Sequence, residues 1–129
     1  MTPELTALAV AALIQYATLG TFGALARRQG TLAYQATNRD APSPHAGPAA
    51  RAQRALANHA ENLILFAIAV IVVTLSDQAT RFTATCAWLY VIARLLYVPA
   101  YVAGYAPVRS LAWGVGWVAT LLMILAALF

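Results

Sequence analysis

The chain contains no lysine, few acidic residues and a single cysteine. Its eight basic residues are all arginine, four residues are acidic, and charged residues make up only 9% of the 129 residues. An ordinary soluble domain carries about 25% charged residues, so this chain has too few charges to cover a water-exposed surface. The lone Cys86 excludes an intramolecular disulfide and a metal site built from paired cysteines. No basic run of the kind that follows nucleic-acid phosphates is present.

What the sequence has instead is long apolar runs, and hydrophobic residues make up 62% of it. A transmembrane helix needs about 20 mostly apolar residues, and four runs satisfy that length. They lack the alternation of a membrane β-barrel and are rich in alanine and leucine, which favours helices. We therefore predict an all-α integral membrane protein, a single four-helix domain. The predicted spans are 5–26, 55–75, 82–103 and 110–129.

The segments between these runs predict loops. Residues 29–50 are polar and interrupted by prolines, which predicts a loop with little regular structure. We expect Ser76 or Asp77 to cap the third helix and Pro107 to lie in the first turn of the fourth. A cleavable signal peptide is not expected, because a signal peptide has basic residues before its apolar run. Here the only charged residue before the first apolar run is the acidic Glu4.

The arginines are distributed unevenly among the connections, which predicts the orientation in the membrane. The second connection has one arginine, offset by an aspartate. The positive-inside rule therefore places the first and third connections in the cytoplasm and both termini on the other side. The use of arginine in place of lysine, with many alanines, favours a bacterial inner membrane. The arginines within or beside the first and third connections are Arg27, Arg28, Arg39, Arg51, Arg54 and Arg109.

Two of the predicted helices carry polar side chains along one face. On the second helix, three residues fall within a sector of about 60°: Arg54, Asn58 and Glu61. On the third helix, three residues at spacings of three and four share a face: Arg94, Tyr97 and Tyr101. Because two polar stripes cannot both face lipid, we expect them to face each other or a cavity. An unpaired charge at membrane depth is costly, so we predict that Glu61 pairs with Arg94.

The cationic residues at the cytoplasmic ends of the spans predict an anion-binding pocket at the membrane surface. Arginine binds carboxylates through two parallel hydrogen bonds. An arginine beside a thiol also favours the thiolate, the nucleophilic form. The arginines that are expected to converge there are Arg27, Arg28, Arg51, Arg54 and Arg109.

Three stretches of the chain resemble the MAPEG family, the membrane-associated proteins in eicosanoid and glutathione metabolism. The sequence Ala26-Arg27-Arg28 is similar to the arginine pair that ends the family's first helix. Residues 51–66 resemble its second-helix signature, with arginine, asparagine and glutamate in the same register. Residues 94–101 and 106–110 are similar to its third-helix and fourth-helix elements. The resemblance covers the whole chain. The family includes the microsomal glutathione transferases.

The resemblance implies a homotrimer that binds glutathione between subunits, near the cytoplasmic side. Arg109 would stabilise the glutathione thiolate, and Ser110 stands where some members have a serine near the thiol. The acceptor would be a lipophilic electrophile or a lipid hydroperoxide that reaches the thiolate from the bilayer, giving a glutathione-dependent membrane transferase or peroxidase. The implied glutathione-binding residues are Arg27, Arg28, Arg54, Asn58, Glu61, Arg94, Tyr97 and Tyr101.

Two other interpretations fit the same residues. One is a non-catalytic membrane protein that binds a lipid or another anionic metabolite in the same intersubunit cavity. The other is a structural assembly in which the charges only hold helices together, so that loss of Arg54 or Arg94 would disrupt the trimer and loss of Arg109 would not. A channel or transporter is disfavoured, because the spans contain no inverted repeat and no pair of broken helices.

Overall fold

The computed structural model describes Met1–Phe129 and consists of four long helices without strands. All four are long and apolar enough to cross a membrane, which confirms the prediction of an all-α, four-helix membrane protein. Every pair of helices is in contact except the first and the fourth, which lie on opposite sides of the central pair. The helices are α1 (Pro3–Arg28), α2 (Gly47–Leu75), α3 (Arg81–Ala103) and α4 (Ala106–Leu128).

Helix α2 begins earlier than its apolar run. It starts at Gly47, with Pro48 in the first turn, whereas the sequence pattern placed residues 47–50 in a loop. Proline is favoured in the first turn of a helix because the amide it lacks would have no partner there. The first two turns of α2 therefore extend beyond the predicted span.

The first connection has little regular structure, as predicted, but side-chain hydrogen bonds hold it in a defined fold. It contains a short 3-10 helix, Leu32–Ala36. His45 is buried beside this helix, with Nδ1 2.8 Å from the Thr31 hydroxyl and Nε2 2.7 Å from the Gln35 amide nitrogen. The Gln29 side chain donates to the Ala46 carbonyl at 2.6 Å and accepts from the Ala46 amide at 3.3 Å. Side chains thus supply the hydrogen bonds that a helix or sheet would otherwise supply.

The start of α3 differs from the prediction that Ser76 or Asp77 caps it. Ser76 instead ends α2. Thr80 caps α3 in a reciprocal arrangement with Thr83, in which each side chain accepts a hydrogen bond from the other residue's amide. The Thr83 hydroxyl also donates to the buried Glu4 carboxylate at 2.6 Å. This bond joins the start of α1 to the start of α3.

The turn between α3 and α4 fixes the residues that follow it. Gly104 ends α3 with φ +88°, a left-handed conformation that glycine adopts without a Cβ clash. Pro107 lies in the first turn of α4, as predicted. The turn therefore brings Arg109 and Ser110, in the first turns of α4, close to the end of α3.

The interior of the bundle is built from small residues around one aromatic pair. The Phe66 and Tyr90 rings stack with their centroids 3.9 Å apart. Buried alanines on all four helices let the backbones approach closely, a packing mode typical of membrane helices. These alanines include Ala7, Ala11, Ala69, Ala87 and Ala119. Many large apolar side chains on the outer faces remain exposed, as expected for surfaces in contact with lipid.

Candidate functional site

Arg94 lies at the centre of the polar region, although it is fully buried. Its guanidinium is sandwiched between two rings of the same helix, 5.0 Å from the Tyr90 centroid and 5.1 Å from that of Tyr97. The spacing of four and three residues places both rings beside it on α3. Opposite, Gly116 of α4 leaves the room that the guanidinium needs, because a Cβ there would lie 3.2 Å from Nη2.

The predicted ion pair between Arg94 and Glu61 does not form within the chain. Nη1 of Arg94 instead donates to the Asn58 side-chain carbonyl at 3.4 Å, and its Nε and Nη2 have no hydrogen-bond partner. Glu61 is exposed on α2. Asn58 lies one turn earlier on the same stripe, so the register of α2 against α3 brings the amide, and not the carboxylate, to the arginine. The prediction that the two stripes face each other was right, but the pairing was wrong.

Tyr101 connects two further arginines. Arg54 of α2 donates from Nε to the Tyr101 hydroxyl at 3.3 Å. Arg109 of α4 lies over the Tyr101 ring, with its guanidinium carbon 4.7 Å from the centroid. Tyr97 packs edge-on against Tyr101, with centroids 5.5 Å apart. A cation over an aromatic face is attracted by the ring's negative charge density, so Tyr101 holds both arginines near one point.

A cleft of about 540 Å³ opens beside this cluster. That volume lies within the range of small-molecule sites, about 300–1,000 Å³. Its wall carries amide, hydroxyl and guanidinium groups and no carboxylate. Arg94 lies behind the wall and is hydrogen-bonded to Asn58. The exposed Arg54 lies at the rim and is hydrogen-bonded to Tyr101. The lining residues are Asn58, Tyr97, Tyr101, Arg109, Ser110, Trp113 and Gly114.

The structure does not bring every candidate residue to this cleft. Arg27 and Arg28 are exposed and line a separate groove of about 440 Å³ against Leu32. Glu61 is exposed and is not part of the cleft wall. Arg51, which was expected to join the pocket, donates from Nε to the Val102 carbonyl at 2.8 Å. It therefore stabilises the junction of α2 with the end of α3.

Two lining residues were missed by the sequence interpretation. Trp113 lies four residues after Arg109, and Gly114 lies four residues after Ser110. Residues four apart share a helix face, so extending the Arg109–Ser110 pair by one turn would have found both. Trp113 also stacks on Trp117, with centroids 6.4 Å apart.

The arrangement is suited to binding an anion beside lipid. It combines several donors from arginine, tyrosine, serine and asparagine with an otherwise apolar bundle. The sequence model that describes the MAPEG family matches residues 5–129 of this chain. The chain belongs to the MAPEG family. No curated protein and no solved structure matches it.

Membership in the MAPEG family agrees with the fold and limits the functions to consider. The family forms membrane helix bundles, and its members use glutathione in transferase or peroxidase reactions or have related membrane functions. The chain is accordingly an integral membrane protein whose outer helix faces contact lipid. The residues of the cleft wall fit glutathione, an anionic tripeptide, because the wall offers donors without a competing carboxylate.

Proposed function

We propose that this MAPEG protein is a glutathione-dependent membrane transferase or peroxidase that acts on a lipophilic electrophile or hydroperoxide. The observation that supports it is the cleft in which Arg109, Tyr101 and Asn58 converge, with Arg54 at its rim. When bound, glutathione supplies the thiol that attacks the acceptor.

The residues of the cleft divide into those that hold glutathione and those that act on its sulfur. Arg54 is exposed at the rim and is suited to a bidentate contact with a glutathione carboxylate. Asn58, which is fixed by Arg94, offers its amide to the peptide groups. The hydroxyls of Tyr97 and Tyr101 supply further polar contacts along the wall.

Arg109 and Ser110 are the proposed catalytic residues. A guanidinium beside the thiol would lower the free energy of the thiolate, because opposite charges attract. The Ser110 hydroxyl, on the same wall, would donate a hydrogen bond to the sulfur of bound glutathione. The thiol proton would leave to solvent through the open side of the cleft.

The proposal includes a homotrimer with the cleft at the boundary between subunits. Within one chain, Arg27 and Arg28 line a groove apart from the cleft. If they hold glutathione, they must reach the cleft of a neighbouring copy. The proposal also assigns the exposed Glu61 to this boundary. We also propose that the protein lies in a bacterial inner membrane. Both termini would then lie outside the cytoplasm, and the cleft would open on the cytoplasmic side.

Thiolate formation tests the proposal directly. Purified protein mixed with glutathione is expected to show the ultraviolet difference absorbance of a thiolate near neutral pH. The Arg109→Ala variant is expected to bind glutathione with little of that absorbance. Arg81→Ala is the matched control, because Arg81 is an exposed arginine in the first turn of α3, remote in sequence from the cleft residues of that helix. Absence of both binding and thiolate absorbance in the parent protein would remove the proposal.

A second candidate function is the non-catalytic binding of a lipid or another anionic metabolite. An apolar crevice of about 200 Å³ between α2 and α4 favours it, since Asn62 and Trp117 line it one turn beyond the cleft residues Asn58 and Trp113. Native mass spectrometry separates the two functions. A copurified phospholipid that excess glutathione does not displace would support lipid binding over transfer.

A further inference from the structure

Tyr90 is fully buried on α3 and does not line the cleft. Its ring stacks on Phe66 of α2, with centroids 3.9 Å apart. The same ring lies beneath the guanidinium of Arg94, whose carbon is 5.0 Å from the centroid. The Tyr90 hydroxyl has no hydrogen-bond partner in the chain. Tyr90 therefore holds its neighbours through its ring and not through its hydroxyl.

Arg94 depends on the rings beside it, because hydrogen bonds alone do not fix it. Its one side-chain hydrogen bond runs from Nη1 to the Asn58 oxygen at 3.4 Å, and its Nε and Nη2 have no partner. A cation is attracted to an aromatic face, most strongly where water is excluded. Of the two rings beside the guanidinium, that of Tyr97 belongs to the cleft wall. Tyr90 is the one that holds Arg94 from outside the cleft.

The position of Arg94 in turn sets the orientation of the Asn58 amide. The Asn58 side-chain oxygen accepts hydrogen bonds from Arg94 Nη1 at 3.4 Å and from Asn62 Nδ2 at 3.3 Å. A guanidinium can only donate, so the Asn58 atom that faces it is the amide oxygen. The Asn58 nitrogen is then left to donate to a ligand in the cleft, which Asn58 lines.

We infer that Tyr90 is a positioning residue for glutathione binding, which acts through Arg94 on the amide of Asn58. The inference rests on the proposed function and adds to it a residue that contacts neither glutathione nor its sulfur. Without the Tyr90 ring, Arg94 loses the contact that orients it, and the Asn58 oxygen keeps only the bond from Asn62. The amide can then turn its oxygen toward the ligand, where it repels the carbonyl and carboxylate oxygens of glutathione.

Two measurements separate the binding of glutathione from the action on its sulfur. Calorimetric titration gives the Kd of glutathione, and the ultraviolet difference absorbance at saturating glutathione gives the thiolate formed per bound molecule. In Tyr90→Leu, which removes the ring, we expect the Kd to rise about tenfold, the order expected for the loss of one hydrogen bond. The thiolate absorbance should not change, because Arg109 lies over Tyr101 and not over Tyr90.

Three further variants make the test specific. Tyr90→Phe keeps the ring and removes only the unpartnered hydroxyl, so it should bind glutathione as the parent protein does. Phe66→Leu is the matched control, since Phe66 is equally buried and forms the other half of the stacked pair. It is expected to lower the thermal midpoint and to keep the Kd. Tyr90→Met, with a flexible side chain that fills irregular space, supplies a second variant without the ring if Tyr90→Leu does not fold.

A double-mutant cycle shows whether Tyr90 acts through Asn58. Effects of independent sites add, whereas effects transmitted through a shared partner do not. Asn58→Ala removes the amide that Tyr90 is inferred to orient. In that background, Tyr90→Leu is expected to have little further effect on the Kd.

The outcomes separate this inference from the proposed function. A parent protein that does not bind glutathione would overturn the proposed function and the inference with it. Binding by the parent protein with an equal Kd in Tyr90→Leu would overturn the inference alone. A loss in Tyr90→Phe or Phe66→Leu as large as that in Tyr90→Leu would do the same, because it would reflect a general effect on the core. So would a tenfold loss that persists in the Asn58→Ala background.

Discussion

At the scale of single residues, Arg94 is a fully buried guanidinium without a carboxylate partner in its own chain. Buried charges rarely add net stability, and apolar replacements are often neutral or stabilising. We expect Arg94→Met to leave the thermal midpoint in detergent unchanged or raised, and to weaken glutathione binding because Asn58 loses its anchor. Thermal unfolding and calorimetric titration check the two effects. A trimer that dissociates in Arg94→Met would favour the purely structural assembly instead.

Gly116 provides the space that Arg94 occupies. A Cβ at Gly116 would lie 3.2 Å from Nη2 and 3.5 Å from both Nε and the Tyr90 ring. We expect Gly116→Ala to displace the guanidinium and to destabilise the protein by about 1–3 kcal/mol, the usual cost of overpacking. Gly23→Ala is the control, since a Cβ there meets nothing within 4 Å and alanine favours the helix. Denaturant unfolding of both variants gives the comparison, and equal stabilities would contradict the expectation.

Spacing alone predicted which residues share a face, but not which residues meet across helices. Helical periodicity placed Asn58 and Glu61 on one stripe and Arg94 on another, and the stripes do face each other. Which of the two α2 residues reaches Arg94 depends on the rotation and axial shift of α2. Packing of Phe66 against Tyr90 contributes to both, and it is not encoded in the period of the stripe.

At the scale of elements, the helices were predictable because each is a long apolar run, whereas their ends depend on local side-chain bonds. The prolines in residues 42–48 indicated a break, yet Pro48 lies in the first turn of α2. The polar residues of the first connection indicated a loop, yet His45 organises them into a folded segment. A single histidine in a polar segment carries no periodic signal, so only the three-dimensional contacts identify its role.

His45 is the residue on which the first connection depends. It has two side-chain hydrogen bonds and packs edge-on against Phe22, with centroids 5.0 Å apart. We expect His45→Ala to lose about 2 kcal/mol of local stability, since each bond contributes about 1 kcal/mol. Limited proteolysis should then cut within residues 29–46 faster than in the parent protein. Asn38→Ala, at an exposed position of the same segment, should leave the cleavage rate unchanged, and identical rates in both variants would refute the role of His45.

At the scale of the whole molecule, the proposed orientation follows from the arginines. It is tested with single cysteines at two exposed positions, Asn38 in the first connection and Gln78 in the second, in a background with the buried Cys86 replaced by alanine. In intact spheroplasts, a membrane-impermeant maleimide is expected to label Gln78→Cys and not Asn38→Cys. Lysis should expose both cysteines. The reverse pattern would place the cleft on the outer side.

The bond between Glu4 and Thr83 has a practical consequence for handling this protein. Glu4 is buried and ties the first turn of α1 to the first turn of α3, and Thr2 caps α1 beside it. The Glu4 side chain therefore belongs to the interior of the bundle, although Met1 and Pro3 are exposed. A truncation that removes Thr2 and Glu4 would lose a helix cap and this interhelical hydrogen bond together, whereas an affinity tag after the exposed Phe129 would disturb neither.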